Sequence, residues 1–279
     1  MRVSGMASAE KGVVGSMRDG VLEMNILLTG QDGSPNNYVL MLNRTGTGGW
    51  GTPRHRHNFD QVRFVIKGDY PYAPGKVMPE GTVGYFPESV HYGPQARPEG
   101  LEVLTCQFGG ASGNGFLSVA QREAANEALK AKGEFKNGVF TYVDEHGKRH
   151  NKDGSEACVE QATGKKLTFA APRYEDQVMM DPTNYEWIPD GTKGVSSKWL
   201  GSFTERAARL GFTRIETNAA LLAGDQPSIE LVFVSKGKVS VDGLTYGPRS
   251  AFEFQPNEGP IPVKALEPSE LFRIILPQF

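Results

Sequence analysis

Histidine is scarce in this chain, with five in 279 residues, so the position of each carries information. Cysteine is scarcer still. Cys106 and Cys158 are the only two, too few for a disulfide framework, and each reads as a small apolar filler or a free thiol. No apolar run approaches the roughly 18 residues that a membrane-spanning helix needs. The segment from Met1 to Gly12 has no hydrophobic core of the kind a secretion signal carries. A cytoplasmic, soluble protein that does not engage a membrane is therefore the expectation. Charge of either sign is also not in excess: 30 Lys and Arg stand against 32 Asp and Glu, a net charge of −2. No basic stripe invites nucleic acid, and no acidic tail suggests a scaffold.

Glycine and proline, by contrast, are abundant, at 34 and 18 residues. They punctuate many short apolar runs, the pattern of an all-β chain with tight turns. Residues 1–18 show no period and are expected to be loosely ordered or to cross to a partner subunit. Val21–Leu28 and Tyr38–Asn43 read as strands around an Asp32-Gly33 turn. Thr45–Gly49 reads as a flexible link; it lacks the Lys-Ser/Thr ending of a phosphate-cradling loop. Leu101–Phe108 reads as a strand closing a first barrel. The period then changes: Ser118–Lys132 reads as a helix, with Ser118 and Gln121 as a capping box and Gly133 as its C-terminal cap. Gly138–Asp144 reads as a strand and Asp153–Thr163 as a second helix capped by Asp153. His146 and His150 lie among glycines and charges, which favours a polar turn over a zinc site.

The most informative stretch is Pro53–Gly68, P-R-H-R-H-N-F-D-Q-V-R-F-V-I-K-G. Residues two apart on a strand share a face, so His55, His57, Phe59, Gln61, Arg63 and Val65 would point to one interior and Asp60 to the other. A third histidine, His91, follows the strand-like run Gly81–Pro87. Three histidines converging from two strands would hold a divalent transition metal. Three neutral imidazoles leave the metal charge uncompensated, so such a site attracts an anionic substrate. An inward Arg63 needs a partner: either a substrate carboxylate, gripped by the guanidinium fork, or an interior acid such as Glu102. Most of the aromatics nearby, Trp50, Phe59, Tyr70, Tyr72, Tyr85 and Tyr92, read as packing, with Tyr85 and Tyr92 as candidate hydroxyl donors.

H-x-H, then Gln61 and Gly68, followed by G-x5-P-x3-H from Gly81 through Pro87 to His91, resembles the two motifs of the cupin superfamily. These are small β-barrels (double-stranded β-helices or jelly rolls) that hold a metal with three histidines and a glutamate. The resemblance implies His55, His57 and His91 as ligands, with Gln61 standing where the family has Glu, either as a weak ligand or as a group that orients water or substrate. H-R-H followed by R-F-V-I-K-G also resembles the gentisate-type ring-cleaving dioxygenases. Those use Fe(II), with an arginine at the place of Arg63 near the substrate carboxylate.

The last third of the chain repeats the first. Moved by 169 residues, Gly68 lands on Gly237, Pro87 on Pro256 and Gln61 on Glu230, a fixed-offset match that points to duplication. His55, His57 and His91 land on Gly224, Gln226 and Pro260, so the second copy lacks the metal ligands. The expected architecture is all-β dominated: an N-terminal cupin barrel with the metal site (1–112), a helical and hairpin connector (113–180), and a degenerate C-terminal cupin barrel (181–279). By analogy of fold, a homodimer is expected.

The expected function is a metal-dependent cupin enzyme. Its leading form is a non-haem Fe(II) dioxygenase acting with O2 on a small anionic aromatic or enolisable carbonyl compound, Zn, Ni or Mn being the other candidate metals. His55, His57, His91 and Gln61 would form the metal centre, and Arg63, Gln61 and Tyr92 the catalytic groups. The alternatives are an oxygen-independent metal-dependent lyase, decarboxylase or isomerase, and a non-catalytic small-molecule-binding bicupin.

Overall fold

The structure, a computed structural model, describes residues 1–14 and 18–279. The chain divides into two compact units: Glu10–Met179, and Met1–Ala9 with Met180–Phe279. Each is built on antiparallel strands, as the glycine and proline punctuation implies.

In the first unit the central sheet runs Val83–Phe86, Phe59–Lys67, Glu102–Gly109, Tyr38–Thr52, Asp19–Thr29, Glu10–Val14, every neighbouring pair antiparallel. Alternation along Asp19–Thr29 and Tyr38–Thr52 places Met24, Ile26, Val39 and Met41 in one apolar cluster with Phe59 and Phe116. A second cluster gathers Val65, Tyr70, Met78, Phe86, Leu101 and Val103. Between these two apolar zones, the same faces of the same strands carry polar side chains. The register fixes which: Gln61 stands opposite Gln107, and Arg63 opposite Thr105.

Several sequence expectations shift. Thr45–Gly49 is no loose link, because the strand from Tyr38 continues through it to Thr52. Gly48 and Gly49 take left-handed backbone angles there (φ +86° and +83°). They let the strand break register against Asp19–Thr29 and then pair with Gln95–Arg97. The strand after the H-x-H pair starts only at Phe59; His55 precedes it, in an isolated bridge to Tyr92. The start of the chain is also ordered: Arg2–Ser4 pairs with Ala251–Phe254 of the same chain, and Glu10–Val14 extends the first unit's sheet. Residues 15–17 of that stretch lie outside the described residues.

The segment after Gly109 folds as a small layer of its own. The helix Val119–Lys130 begins with the reciprocal Ser118–Gln121 capping box. It ends on Ala131 rather than Gly133, since Gly133 already opens the strand Gly133–Lys136. That strand, Val139–Val143 and Arg149–Asp153 make a three-stranded sheet. Asp153 then caps the helix Gly154–Thr163, its carboxylate accepting from the amides of Ser155 and Glu156. Ala125, Leu129, Phe140, Ala157 and Cys158 pack this layer together. His150 stacks on Tyr142, and its Nε2 lies 2.7 Å from Asp144 Oδ2. His146 is exposed, so these two histidines secure a turn and do not converge.

In the second unit a seven-stranded sheet and a four-stranded sheet enclose one apolar core. Val232, Val234, Phe252, Phe254 and Leu271 come from the first, and Leu221, Ala223, Val239, Val263 and Ala265 from the second. The duplication is visible here. Glu230–Lys236 is the counterpart of the end of Phe59–Lys67, and Gly68 and Gly237 close the two strands with φ of +82° and +79°, angles that favour glycine. The fold is the all-β, two-barrel architecture with a helical insert that the sequence implies. No helix among the described residues is long and apolar enough to cross a membrane.

Candidate functional site

The first unit holds a cavity of about 130 Å³. An apolar cavity of about 150 Å³ takes up benzene, so the scale here is that of a single small ring or a short chain. The cavity is lined by His55, His57, Gln61, Arg63 and Tyr92, by Thr105 and Gln107 across the register, and by Arg18, Arg97 and Arg122.

His55 and His57 meet edge to face with ring centroids 4.9 Å apart. Nδ1 of His55 lies 2.7 Å from the carbonyl of Pro53. A carbonyl only accepts, so Nδ1 carries the proton and Nε2 is the bare nitrogen. Burial and the nearby Arg18 guanidinium hold the His55 pKa down at about 3. Burial, His55 and Arg18 hold His57 well below the ordinary imidazole value. Both rings are therefore neutral at physiological pH.

Tyr92 stands at the convergence of this set. Its hydroxyl lies 2.9 Å from Gln61 Nε2, 3.1 Å from Arg63 Nη2 and 3.0 Å from His57 Nε2. The amide and the guanidinium can only donate to it, so the phenol's own proton is directed at His57 Nε2. Gln61 is fixed in that orientation, because its carbonyl oxygen accepts from Arg63 Nη2 and from Gln107 Nε2, both at 3.0 Å.

Arg63 is buried, and Nη2 alone has partners; Nε and Nη1 have none. The guanidinium lies 4.4 Å from the centre of the Phe86 ring, and burial lowers its pKa to about 10, so it stays charged at neutral pH. Among the described residues it has no carboxylate partner, and the alternative of a bridge to Glu102 is not realised. The second unit also buries an arginine, on a different strand, and neutralises it. There Glu230, at the repeat position of Gln61, bonds Arg273 at 2.6 and 2.7 Å. Arg273 faces Val232, which is the repeat position of Arg63.

The expected third histidine is not part of the site. His91 is exposed and does not line the cavity. The reason is a side-chain alternation set by the bridge: His55 and Tyr92 exchange both backbone hydrogen bonds, at 3.0 and 2.9 Å. Tyr92 is thereby turned inward and its neighbour His91 outward. Tyr85, the other candidate hydroxyl, is also placed elsewhere. It donates to Asp60 Oδ2 at 2.8 Å on the opposite face of the strand, the face that parity assigns to Asp60. The sequence reading missed Arg18, Arg97 and Arg122. Arg97 donates to Gln95 and the Tyr70 hydroxyl and lies over Trp50. Arg122, from the insert helix, donates to Gln107 at 3.2 Å. Arg18 pairs with Asp153. These three come from separate segments, and no local pattern in the sequence marks them.

The donor set does not fit a divalent cation. Two imidazoles, an amide and a phenol face one another, and among the described residues no three of His, Cys, Asp and Glu are grouped to hold a metal. The phenol oxygen already fills the point on which His57 and Gln61 converge, and the arginines around it carry the positive charge that a metal would bring. What the arrangement favours is an anion.

No family model matches the sequence, and no curated protein does. Solved structures do resemble the fold. A Nostoc punctiforme protein provisionally described as a dioxygenase matches with a TM-score of 0.63 at 12% identity, over 99% of this chain and 82% of its own. A bacterial pirin from Escherichia coli in complex with nickel(II) matches at 0.54 and 11%, over 100% and 99%. Oxalate decarboxylase from Bacillus subtilis matches at 0.56 and 14%, over 99% and 76%. At these identities the likeness concerns the fold.

Proposed function

We propose that this chain, whose fold is that of the two-barrel cupins, is an enzyme acting on a small anionic compound, a carboxylate with an aromatic ring or an enolisable carbonyl, bound in the N-terminal barrel against Arg63. The observation that carries this reading is the unspent cation. A buried guanidinium with two unpartnered nitrogens is costly to keep. The second barrel shows that this fold can neutralise such a group with an acid, and the first barrel has glutamine where that acid stands. A substrate carboxylate supplies the missing charge. Arg97 and Arg122 add to the field that draws it in, and the size of the cavity limits it to a single small ring or a short chain.

One observation favours a second reading, a metal-dependent cupin enzyme. Donation from His55 Nδ1 to a backbone carbonyl is the arrangement that commonly orients a metal-ligating imidazole, and the solved structures of similar fold include a nickel complex and one with Mn(II) centres. Iron and dioxygenase chemistry belong to this second reading, which requires Tyr92 to leave His57. Metal analysis of the protein purified without chelator separates the two.

The test of the leading reading is conversion of carboxylated phenols and 2-oxo acids, followed by mass spectrometry with an oxygen electrode in parallel. Arg63→Met is expected to lower kcat/KM by about 10²-fold, the worth of one or two charge-assisted hydrogen bonds. Oxygen uptake coupled to conversion would move the chemistry to the dioxygenase class. Conversion undiminished by Arg63→Met would overturn the assignment.

A further inference from the structure

We propose that the Tyr92 hydroxyl and the His57 imidazole form a metal-free proton-transfer pair that enolises the bound anion. The inference rests on the anionic-substrate reading above and adds the reacting groups.

Three observations carry it. The first is the direction of the hydrogen bond. Gln61 Nε2 and Arg63 Nη2 both donate to the Tyr92 oxygen, so its own proton lies toward His57 Nε2, 3.0 Å away. The second is the surroundings of that oxygen: an amide and a guanidinium already aimed at it are what stabilise a phenolate while it forms. The third is place. Tyr92, His57 and Arg63 line one cavity, so a carboxylate held by Arg63 lies next to the phenol.

The step balances within the site. A C–H bond next to the substrate's carbonyl breaks. Its electron pair becomes the carbon–carbon double bond of an enolate, and the carbonyl oxygen takes the negative charge. The carbon's proton goes to the Tyr92 oxygen, at the lone pair that Arg63 Nη2 leaves as the guanidinium turns to the carboxylate, while the phenol's own proton passes to His57 Nε2 and Gln61 Nε2 keeps its bond to the oxygen. Reversal returns a proton to carbon, and in heavy water that proton is a deuteron drawn from the exchangeable Tyr92–His57 pair. No oxidant, reductant or metal is consumed. Isomerisation, epimerisation and decarboxylation of 2-oxo acids all pass through such an enolate.

The experiment uses the full chain, dialysed against EDTA, with 2-oxobutanoate as the probe. Its binding is measured by calorimetry, and the loss of its C3 proton signal in D2O is followed by NMR. Wild type is expected to bind the probe and exchange its C3 protons without added metal. Tyr92→Phe is expected to bind the probe comparably and to exchange it roughly 10²-fold or more slowly, the usual contribution of a positioned acid–base group. His57→Gln, which keeps a hydrogen-bonding side chain but cannot take the proton, is expected to show the same split. Exchange that disappears with EDTA and returns with Fe(II) or Mn(II), or exchange at the wild-type rate in Tyr92→Phe, overturns the proposal. Binding without exchange in wild type overturns it too, while leaving the anion site standing. Absence of binding removes the anion reading and this proposal together.

Discussion

Arg273→Met is expected to lower the stability of the C-terminal unit by about 3–5 kcal/mol, whereas Arg63→Met is expected to raise that of the N-terminal unit by about 2–3 kcal/mol. The opposite signs follow from one difference between the two barrels. Glu230 and Arg273 are both buried and bonded at 2.6 Å. Removing the arginine strands a carboxylate away from water, its remaining bond being the one from the Gly224 amide. Arg63 has no such partner, and burial depresses its pKa to about 10. At neutral pH the folded state therefore carries a cation it holds less well than the unfolded chain does. Methionine removes that cost and orphans nothing, since Gln61 Oε1 still accepts from Gln107, and Tyr92 from Gln61. Urea titrations of the two variants, followed by circular dichroism, check both signs. Destabilisation by Arg63→Met of the size expected for Arg273→Met would show that Arg63 is a structural group and no substrate anchor. A site that stabilises when its functional residue is removed is the usual exchange of stability for activity.

The N-terminal unit is also expected to lose up to about 4 kcal/mol of stability, relative to its Asp60→Asn variant, as pH rises from 4 to 7. Asp60 is buried, its carboxylate accepting from the Glu88 amide and the Tyr85 hydroxyl, each at 2.8 Å. Desolvation dominates, and the pKa rises from 3.8 to about 7. The folded state thus binds the proton more tightly than the unfolded chain. The stabilisation is present in full below pH 4 and is lost as pH climbs through 7. Groups that do not touch Asp60 cancel in the comparison, among them the buried histidines, whose depressed pKa values act in the opposite sense. Denaturant titrations of wild type and Asp60→Asn at several pH values give the difference directly. A difference independent of pH would mean that Asp60 stays ionised in the fold.

Much of this architecture is legible in the residues because its signals are local. Alternation in Phe59–Lys67 assigns Gln61 and Arg63 to one face and Asp60 to the other, and the structure keeps that assignment. The duplication is legible because Gly68 and Gly237 meet the same demand for a left-handed backbone at the end of equivalent strands. The Ser118–Gln121 cap and the Asp153 cap are legible because three-residue spacing is all they need. The third histidine fails for the complementary reason. Whether His91 or Tyr92 faces inward depends on the bridge to His55, a pairing between residues 37 positions apart. A one-residue slip there exchanges a metal ligand for a phenol. The strand through Thr45–Gly49 was hidden because its glycines serve a register break, which looks like a loop until its partner strands are known. Arg18, Arg97 and Arg122 meet only through tertiary packing, so the gathering of arginines around the cavity has no trace in a chain of nearly balanced charge.

The most direct test of the account is calorimetric titration of 2-oxobutanoate and benzoate into the wild-type protein and into Arg63→Met, in low-salt buffer near neutral pH. Saturable binding to wild type, of about millimolar strength or tighter, is expected, together with its loss in Arg63→Met, which remains folded and is more stable. Equal binding to both proteins, or no binding of either carboxylate to wild type, would contradict the claim that the first barrel is an anion site built on Arg63.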